Sequence, residues 1–327
     1  MYRQVGFFWI PMFFFSILCA LLIDHFRPMR TNNLFLSLLR ATGAHVRSWC
    51  DTGTSHHGCL GWIAANAMVA IPVLIVYWIC QLIHPFLGLL WSILILYLCM
   101  GFRNYNHYFS AIQMALLNGE QTRARNLLGE WCDCDASAMD TVDVTRMAIE
   151  KALISVQKDV FGIIFWFVLP FGPAGAILYR LSSYLQKSWN DPDDRSGFGL
   201  FAKKIFYWID WVPVRLTALS FAIVGNFEDA IYAWRNFANR WQNRNIGILL
   251  ASAGGAMGVR LGTPYERAIR GTPIDLDSFD TIGFESESFP GEEPKIRYLQ
   301  SALGLIWRAL LLWLLLLFFF SIAFNFA

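Results

Sequence analysis

Asp159-Val-Phe-Gly-Ile-Ile-Phe-Trp-Phe-Val-Leu-Pro-Phe-Gly-Pro-Ala-Gly-Ala-Ile-Leu-Tyr-Arg180 has one charge at each end and none between. A hydrocarbon core about 30 Å thick is crossed by roughly 20 apolar residues of helix, and this stretch reaches that length. Its Gly and Pro residues, at 162, 170, 172, 173 and 175, are tolerated in such helices because neighbouring helices and side chains re-satisfy the freed backbone. The stretch therefore reads as a membrane span, and it sets how the rest of the chain is read.

Working outward, residues 6–23, 62–83, 86–102, 206–227 and 303–324 approach or meet the same length. The expected fold class is all-α: a polytopic helical membrane protein with about six transmembrane helices. Composition agrees, with 56% hydrophobic and 15% charged residues against about a quarter charged in soluble domains. That excludes an ordinary cytosolic enzyme. A net charge of +2 is too small for a nucleic-acid footprint, so the expected partner is the lipid bilayer and no nucleic acid. The first apolar run lacks a small-x-small cleavage site and reads as a retained anchor rather than a signal peptide.

Orientation follows from Lys and Arg. With six spans, loops 24–61, 103–159 and 228–302 lie on one side and carry 18 of them, whereas the N-terminus and 181–205 carry five. The richer side is predicted to be cytoplasmic, which places both termini opposite.

The expected organisation is three spans over 1–102, a helical polar loop over 103–159, spans four and five with a short apolar segment over 160–262, an acidic Pro/Gly-rich connector over 263–302, and a last span over 303–327. In the polar loop, Tyr108, Ile112, Ala115 and Leu116 repeat at helical spacing, Asn118-Gly119 signals a turn, and Ala124, Leu127, Leu128 and Trp131 resume the pattern. A third helix is predicted from Thr141 to Gln157, capped by Asp140 or Thr141 and leading into the fourth span. Residues 246–259 cover only about 21 Å as a helix, too short to span. Their small residues, Ala251 with Gly255 and Gly254 with Gly258, suit close helix packing or a re-entrant or interfacial segment.

Ionisable residues at bilayer depth are costly and often functional, which singles out Asp210 and Arg215. They are five apart, about 140° around a regular helix unless Pro213 bends it. Cys19, Cys80 and Cys99 fall within spans as small hydrophobes. Cys50, His56, His57 and Cys59 match no structural zinc spacing, and Cys132 with Cys134 lies among solvated carboxylates. No metal site is expected. Phosphate-loop, nucleophile-elbow and His-Glu-x-x-His motifs are all missing.

Four ordered stretches carry a family resemblance: Gly119–Leu128, Phe171–Arg180, Asp210–Leu216 and Ala253–Gly262. Together they resemble the CobD/CbiB superfamily over nearly the whole chain. That superfamily includes membrane-bound adenosylcobinamide-phosphate synthases and AmpE-type inner-membrane proteins linked to β-lactamase induction. Asp210–Leu216 with Asn226-Phe-Glu-Asp-Ala is similar to the AmpE branch. The resemblance implies a multi-pass bacterial inner-membrane protein. For a synthase it further implies ATP-dependent joining of adenosylcobyric acid to aminopropanol phosphate, with magnesium held by carboxylates.

Where synthases of this family read Glu-Asn-x-x-Asp-Gly, the chain reads Gln157-Lys158-Asp159-Val160-Phe161-Gly162, and where they read Asn-Thr-Leu-Asp-Ser-Met it reads Ser183-Tyr184-Leu185-Gln186-Lys187-Ser188. The family's Gly-Arg-Asp-Thr motif is replaced around Asp133–Ala136. Arg180, Arg215 and Arg260 still match family positions and can hold an anion; Asp159 and Asp210 complete the ligand-binding candidates. The expectation is a catalytically degenerate, AmpE-like regulatory or binding protein with no assured cofactor. Its partner would be a corrinoid precursor or a cell-wall-related regulatory protein. The alternatives are an active synthase using Mg-ATP and a small-anion or cofactor transporter.

Overall fold

The structure is a computed structural model that describes residues 9–26, 34–50, 55–190, 198–262 and 291–326. In chain order its helices are α1 (Trp9–Phe26), α2 (Leu34–Cys50), α3 (Ser55–Ile83), α4 (Pro85–Cys99), α5 (Phe102–Leu117), α6 (Gln121–Cys132) and α7 (Thr141–Val156). They continue with α8 (Gly162–Val168), α9 (Pro173–Ser188), α10 (Phe198–Ile209), α11 (Trp211–Val224), α12 (Phe227–Phe237), α13 (Arg244–Met257) and α14 (Arg297–Phe326). A π-helical turn, Gln157–Phe161, joins α7 to α8, and a 3-10 turn, Ala238–Arg240, follows α12. Among the described residues the only extended pairing is an isolated parallel bridge between Val259 and Glu292. The all-α class thus holds for these residues.

Two compact units divide the chain. The first comprises Met1–Arg103, Lys158–Asp210 and Leu314–Ala327, the second Asn104–Gln157 and Trp211–Trp313.

In the first unit α3 packs against α4, α9, α10 and α2, while α1 packs against α4. Leu39, Val46, Ala65, Leu181, Leu185, Trp189, Phe198 and Ala202 form a buried cluster. Trp189 is placed there by its indole N–H, which donates to the Gly43 carbonyl at 3.1 Å, so its one polar atom is satisfied where its large apolar face is buried. His84 starts α4 by accepting from the Phe86 N–H, with Pro85 in the first helical position, where its lack of an N–H costs no helical hydrogen bond.

In the second unit α13 packs against α11, α12 and α7. It is a regular helix, and every residue from Asn245 to Gly255 is buried; a helix apolar on all sides needs neighbours on all sides. A Cβ on Gly255 would sit 2.4 Å from the Asp229 carbonyl oxygen, so only glycine allows the α12 and α13 backbones to approach this closely. Ser252 donates to the Ala218 carbonyl at 2.7 Å, which ties α13 to α11. The contacts of residues 246–259 are thus those of tight helix packing. The three predicted helices of the polar loop are present as α5, α6 and α7. Asn118 and Gly119 form the first turn, and Asp140 caps α7 by accepting from the Asp143 N–H at 2.7 Å.

Three expectations are corrected. Residues 160–180 are not one continuous helix: α8 ends at Val168 and α9 begins at Pro173, because Pro170 and Pro173 cannot continue the hydrogen-bond ladder. The 206–227 span is interrupted at Asp210, not bent at Pro213; Pro213 lies in the first turn of α11, where an N–H is dispensable. Finally, α2 and α12 are helices where long loops were expected. Among the described residues, two helical stretches suffice by length and composition to cross a membrane, His57–Ile83 and Arg297–Ala323, and Phe13–Asp24, Pro85–Cys99 and Trp211–Val224 are shorter apolar helices. The count of six spans goes beyond this. Most of the expected acidic connector, residues 263–290, lies outside the described residues.

Candidate functional site

The π-helical turn coincides with the stretch where the family's acidic motif was expected. An α-helix that gains an extra residue in one turn re-aims its side chains, and such turns concentrate at functional sites. Here the turn presents Lys158 and Asp159 toward α9 and α10, while Phe161 is fully buried.

Asp159 Oδ1 forms an ion pair with Arg180 Nη1 from α9; both side chains keep about a fifth of their surface exposed, at 22% and 18%. One residue earlier on α9, Tyr179 is fully buried and its hydroxyl donates to Asp210 Oδ1 at 2.8 Å. Asp210 follows directly on α10 and is itself buried. The Tyr179 ring packs on Phe206 of α10 with centroids 5.5 Å apart, and Lys158 Nζ lies 5.9 Å from the Phe206 centroid. Trp166 of α8 donates to the Ile209 carbonyl at 3.2 Å, anchoring the end of α10. Room for the tyrosine comes from Gly162, where a Cβ would lie 2.1 Å from Tyr179 Cζ. Gly162, at which the resemblance to the family's acidic motif stays in register, is therefore the residue against which Tyr179 packs.

Of the five sequence candidates, Asp159, Arg180 and Asp210 thus belong to one patch in the first unit, joined by Tyr179 and Lys158. Arg215 and Arg260 are in the second unit, each with its own partners. The Arg215 guanidinium lies 3.9 Å from the Trp211 ring centroid and donates to the Trp211 carbonyl at 2.8 Å and to Asn245 Oδ1 at 3.3 Å. Arg260 Nε donates to the Gly291 carbonyl at 2.7 Å, and its backbone N–H donates to Glu292 O at 2.9 Å. It holds together the two ends of the segment between Gly262 and Gly291.

Tyr179 and Lys158 were not singled out by sequence reasoning; a tyrosine beside an arginine at the end of an apolar run reads as an interfacial anchor. Glu150 was also missed. It lies on α7, 4% exposed, and accepts from the Gly262 N–H at 2.6 Å. Burial, only partly offset by that hydrogen bond and by Arg146, pushes its carboxyl up to about 7. A glutamate between Ile149 and Lys151 looks like any solvated helix face until its neighbours are known.

Magnesium prefers octahedral oxygen ligands with its retained waters. The patch offers two carboxylates, one neutralised by Arg180 and one hydrogen-bonded by Tyr179, beside the Lys158 cation. That is not a magnesium donor set, and among the described residues no group of three or more His, Cys, Asp or Glu comes together as one. The arrangement is a charge-paired patch in which Lys158 and Arg180 are the cations and the Tyr179 phenol is spent on Asp210.

A model of the CobD/CbiB protein family matches residues 17–275. The cobalamin biosynthesis protein CobD of Stutzerimonas stutzeri is 31% identical over 313 residues, covering 94% of this chain and 97% of that protein. The protein of the same name from Chromobacterium violaceum is 32% identical over 200 residues, 61% of this chain and 64% of that one. The one from Mycobacterium tuberculosis H37Rv is 30% identical over 159 residues, 46% and 50%. No solved structure matches. With most of its length matched by the family model and one relative matched end to end, the chain belongs to the CobD/CbiB family.

Proposed function

We propose that this protein is a multi-pass inner-membrane member of the family that works as a binding or regulatory protein, its ancestral synthase site converted to a charge-paired patch. The observation that carries this reading is the Asp159–Arg180 pair on the π-helical turn, two residues before a buried Phe161 where the resemblance places an aspartate in synthases. A carboxylate held by a guanidinium is a poor metal ligand, because binding a cation there means breaking a charge-assisted hydrogen bond. The ligand proposed is a corrinoid precursor or another polyanionic group met by Lys158 and Arg180.

Membrane residence is supported by α3 and α14. Leu60, Ile63, Met68, Ile71, Ile75 and Leu82 of α3, and Leu311, Leu315, Phe319 and Phe320 of α14, are exposed. Ribbons of large apolar side chains along helices of this length suit lipid rather than water.

A second reading is favoured by the end-to-end similarity to the S. stutzeri protein: an active synthase that joins adenosylcobyric acid to aminopropanol phosphate with Mg-ATP. The two are separated by incubating detergent-purified protein with those three components, beside an active synthase of the family, and following product by mass spectrometry. No product with retained corrinoid binding is the expected result. Turnover would overturn the degenerate reading and leave the synthase one.

A further inference from the structure

We propose that Arg308 of α14 is the anchor of a phospholipid site, where it binds the headgroup phosphate of an anionic lipid at the edge of the bilayer. The inference rests on the multi-pass reading and goes beyond it by naming a lipid class and the residue that selects it. From Ala309 to Phe326 no residue is charged. As helix this run is about 27 Å long at 1.5 Å per residue, close to the thickness of a hydrocarbon core. Arg308 closes the run on its N-terminal side. It nevertheless lies inside Arg297–Ala323, the stretch long and apolar enough to cross a membrane, and an arginine so placed is costly without an anion.

Positions 297, 304, 308, 311 and 315 fall within about 40° of one line along a regular helix, so they share a face. Arg308, Leu311 and Leu315 are exposed there, while Leu305, Ile306, Ala309 and Leu310 turn the other way and are buried. Arg308 is therefore the last polar group on an outward face that continues as leucine. Nearer the start of the helix, Arg297 is answered by Glu292 at 2.7 Å. Among the described residues Arg308 meets no carboxylate: its Nε donates to the Gly304 carbonyl at 3.2 Å, and both Nη groups are left over. That bond folds the side chain back toward the N-terminal, polar end of α14, the direction in which a snorkelling arginine reaches the headgroups. A side chain at Gly304 would meet open space, so the guanidinium can be approached from outside. Its two Nη groups match two oxygens of one phosphate.

Trp307, exposed beside Arg308, is the residue type that settles at the same boundary. The expected orientation puts loop 228–302, and with it the start of α14, on the cytoplasmic side, where the leaflet surface is negative. The rival occupant is a second copy of this chain. Residues 297–326 contain no Asp or Glu, so a two-fold packing of α14 on itself would set Arg308 against its own like charge rather than answer it.

The test titrates the delipidated full-length protein, in detergent, with phosphatidylglycerol or phosphatidylcholine and counts bound lipids by native mass spectrometry. Wild type should hold phosphatidylglycerol at least about tenfold more tightly than phosphatidylcholine, as expected for a charge-assisted hydrogen-bonded pair. Arg308→Gln should remove that preference. Lys295→Gln, which deletes an exposed cation outside the apolar stretch, should keep it. Inorganic phosphate at the same concentration should not displace the lipid. Wild type without a preference, or equal losses in Arg308→Gln and Lys295→Gln, would overturn the proposal. So would displacement by inorganic phosphate, which marks a free-anion site, or a wild-type dimer that Arg308→Gln dissociates whatever the lipid. Membrane retention after a carbonate wash is read on the same preparations: release sinks the multi-pass reading itself, whereas retention without lipid preference sinks this proposal alone.

Discussion

Tyr179 spends its hydroxyl on Asp210 and its ring on the space left by Gly162, so both contacts can be tested separately. Tyr179→Phe keeps the ring and removes one donor from a buried carboxylate; hydrogen bonds to charged groups contribute about 1.5–3 kcal/mol. A drop in thermal stability of that size is expected in detergent, and it should be smaller in an Asp210→Asn background, where the acceptor is neutral. Equal drops in both backgrounds would show that the hydroxyl does not act through Asp210. Gly162→Ala forces a methyl into the tyrosine ring, and overpacking of this kind costs typically about 1–3 kcal/mol. Shrinking the opposing side chain, in Gly162→Ala with Tyr179→Leu, should recover part of the loss; strictly additive losses would mean the two residues do not meet. Asp159, Arg180 and Asp210 could be picked out of the sequence because a charge in or beside an apolar run is conspicuous. Tyr179 could not, since nothing in its local sequence tells a buried phenol from an interfacial one.

At the scale of elements, α7 and α13 carry the sharpest expectations. Glu150 has its carboxyl raised from 4.5 to about 7. Below about pH 4.5 it is protonated in both the folded and the unfolded chain. As pH climbs toward 7 the unfolded chain ionises first, so the stability this residue contributes is lost across that window and the loss levels off above it. Glu150→Gln retains an oxygen to accept from Gly262 and cannot ionise. The variant should therefore gain on wild type as pH rises from 5 to 8, by on the order of 3 kcal/mol at the top; parallel stability curves would refute the burial. On α13, Gly255→Ala places a methyl against the Asp229 backbone, which has no rotamer through which to yield. A loss of about 1–3 kcal/mol is expected from overpacking, whereas Gly304→Ala, with open space around it, should stabilise or be neutral in its helix. The periodicity of α5, α6 and α7 was legible because polar helices alternate faces. That of α2 was hidden by Gly43 and by an expectation of loop between spans.

For the whole molecule the decisive variable is what the apolar helix surfaces meet. Ile71, near the middle of His57–Ile83, is 53% exposed. If that surface faces lipid, Ile71→Lys carries a penalty of roughly 2.5–3.5 kcal/mol on insertion scales, and the protein should fall sharply in the membrane fraction. His57→Lys, exposed at the end of the same stretch, should leave the yield unchanged. Equal yields of both variants, or release of wild-type protein by a carbonate wash, would sink the multi-pass reading. The acidic residues of 263–290 bear on none of these outcomes, whereas the Arg260–Gly291 contact and the Val259–Glu292 bridge hold the ends of that segment.

The amino-acid sequence by itself determined the helical class, the apolar character and the family, because hydropathy summed over 20 residues and an ordered set of motifs both survive without knowledge of neighbours. It also named three charged residues of the patch, Asp159, Arg180 and Asp210, though not Lys158. Tertiary structure decided the rest: that 160–180 is two helices, that Asp210 rather than Pro213 interrupts the fifth stretch, that Glu150 is buried, and that Arg180 answers Asp159 while Arg215 and Arg260 are occupied elsewhere. Each of these depends on which side chain, far along the chain, comes within a few ångströms, and local periodicity carries no record of that.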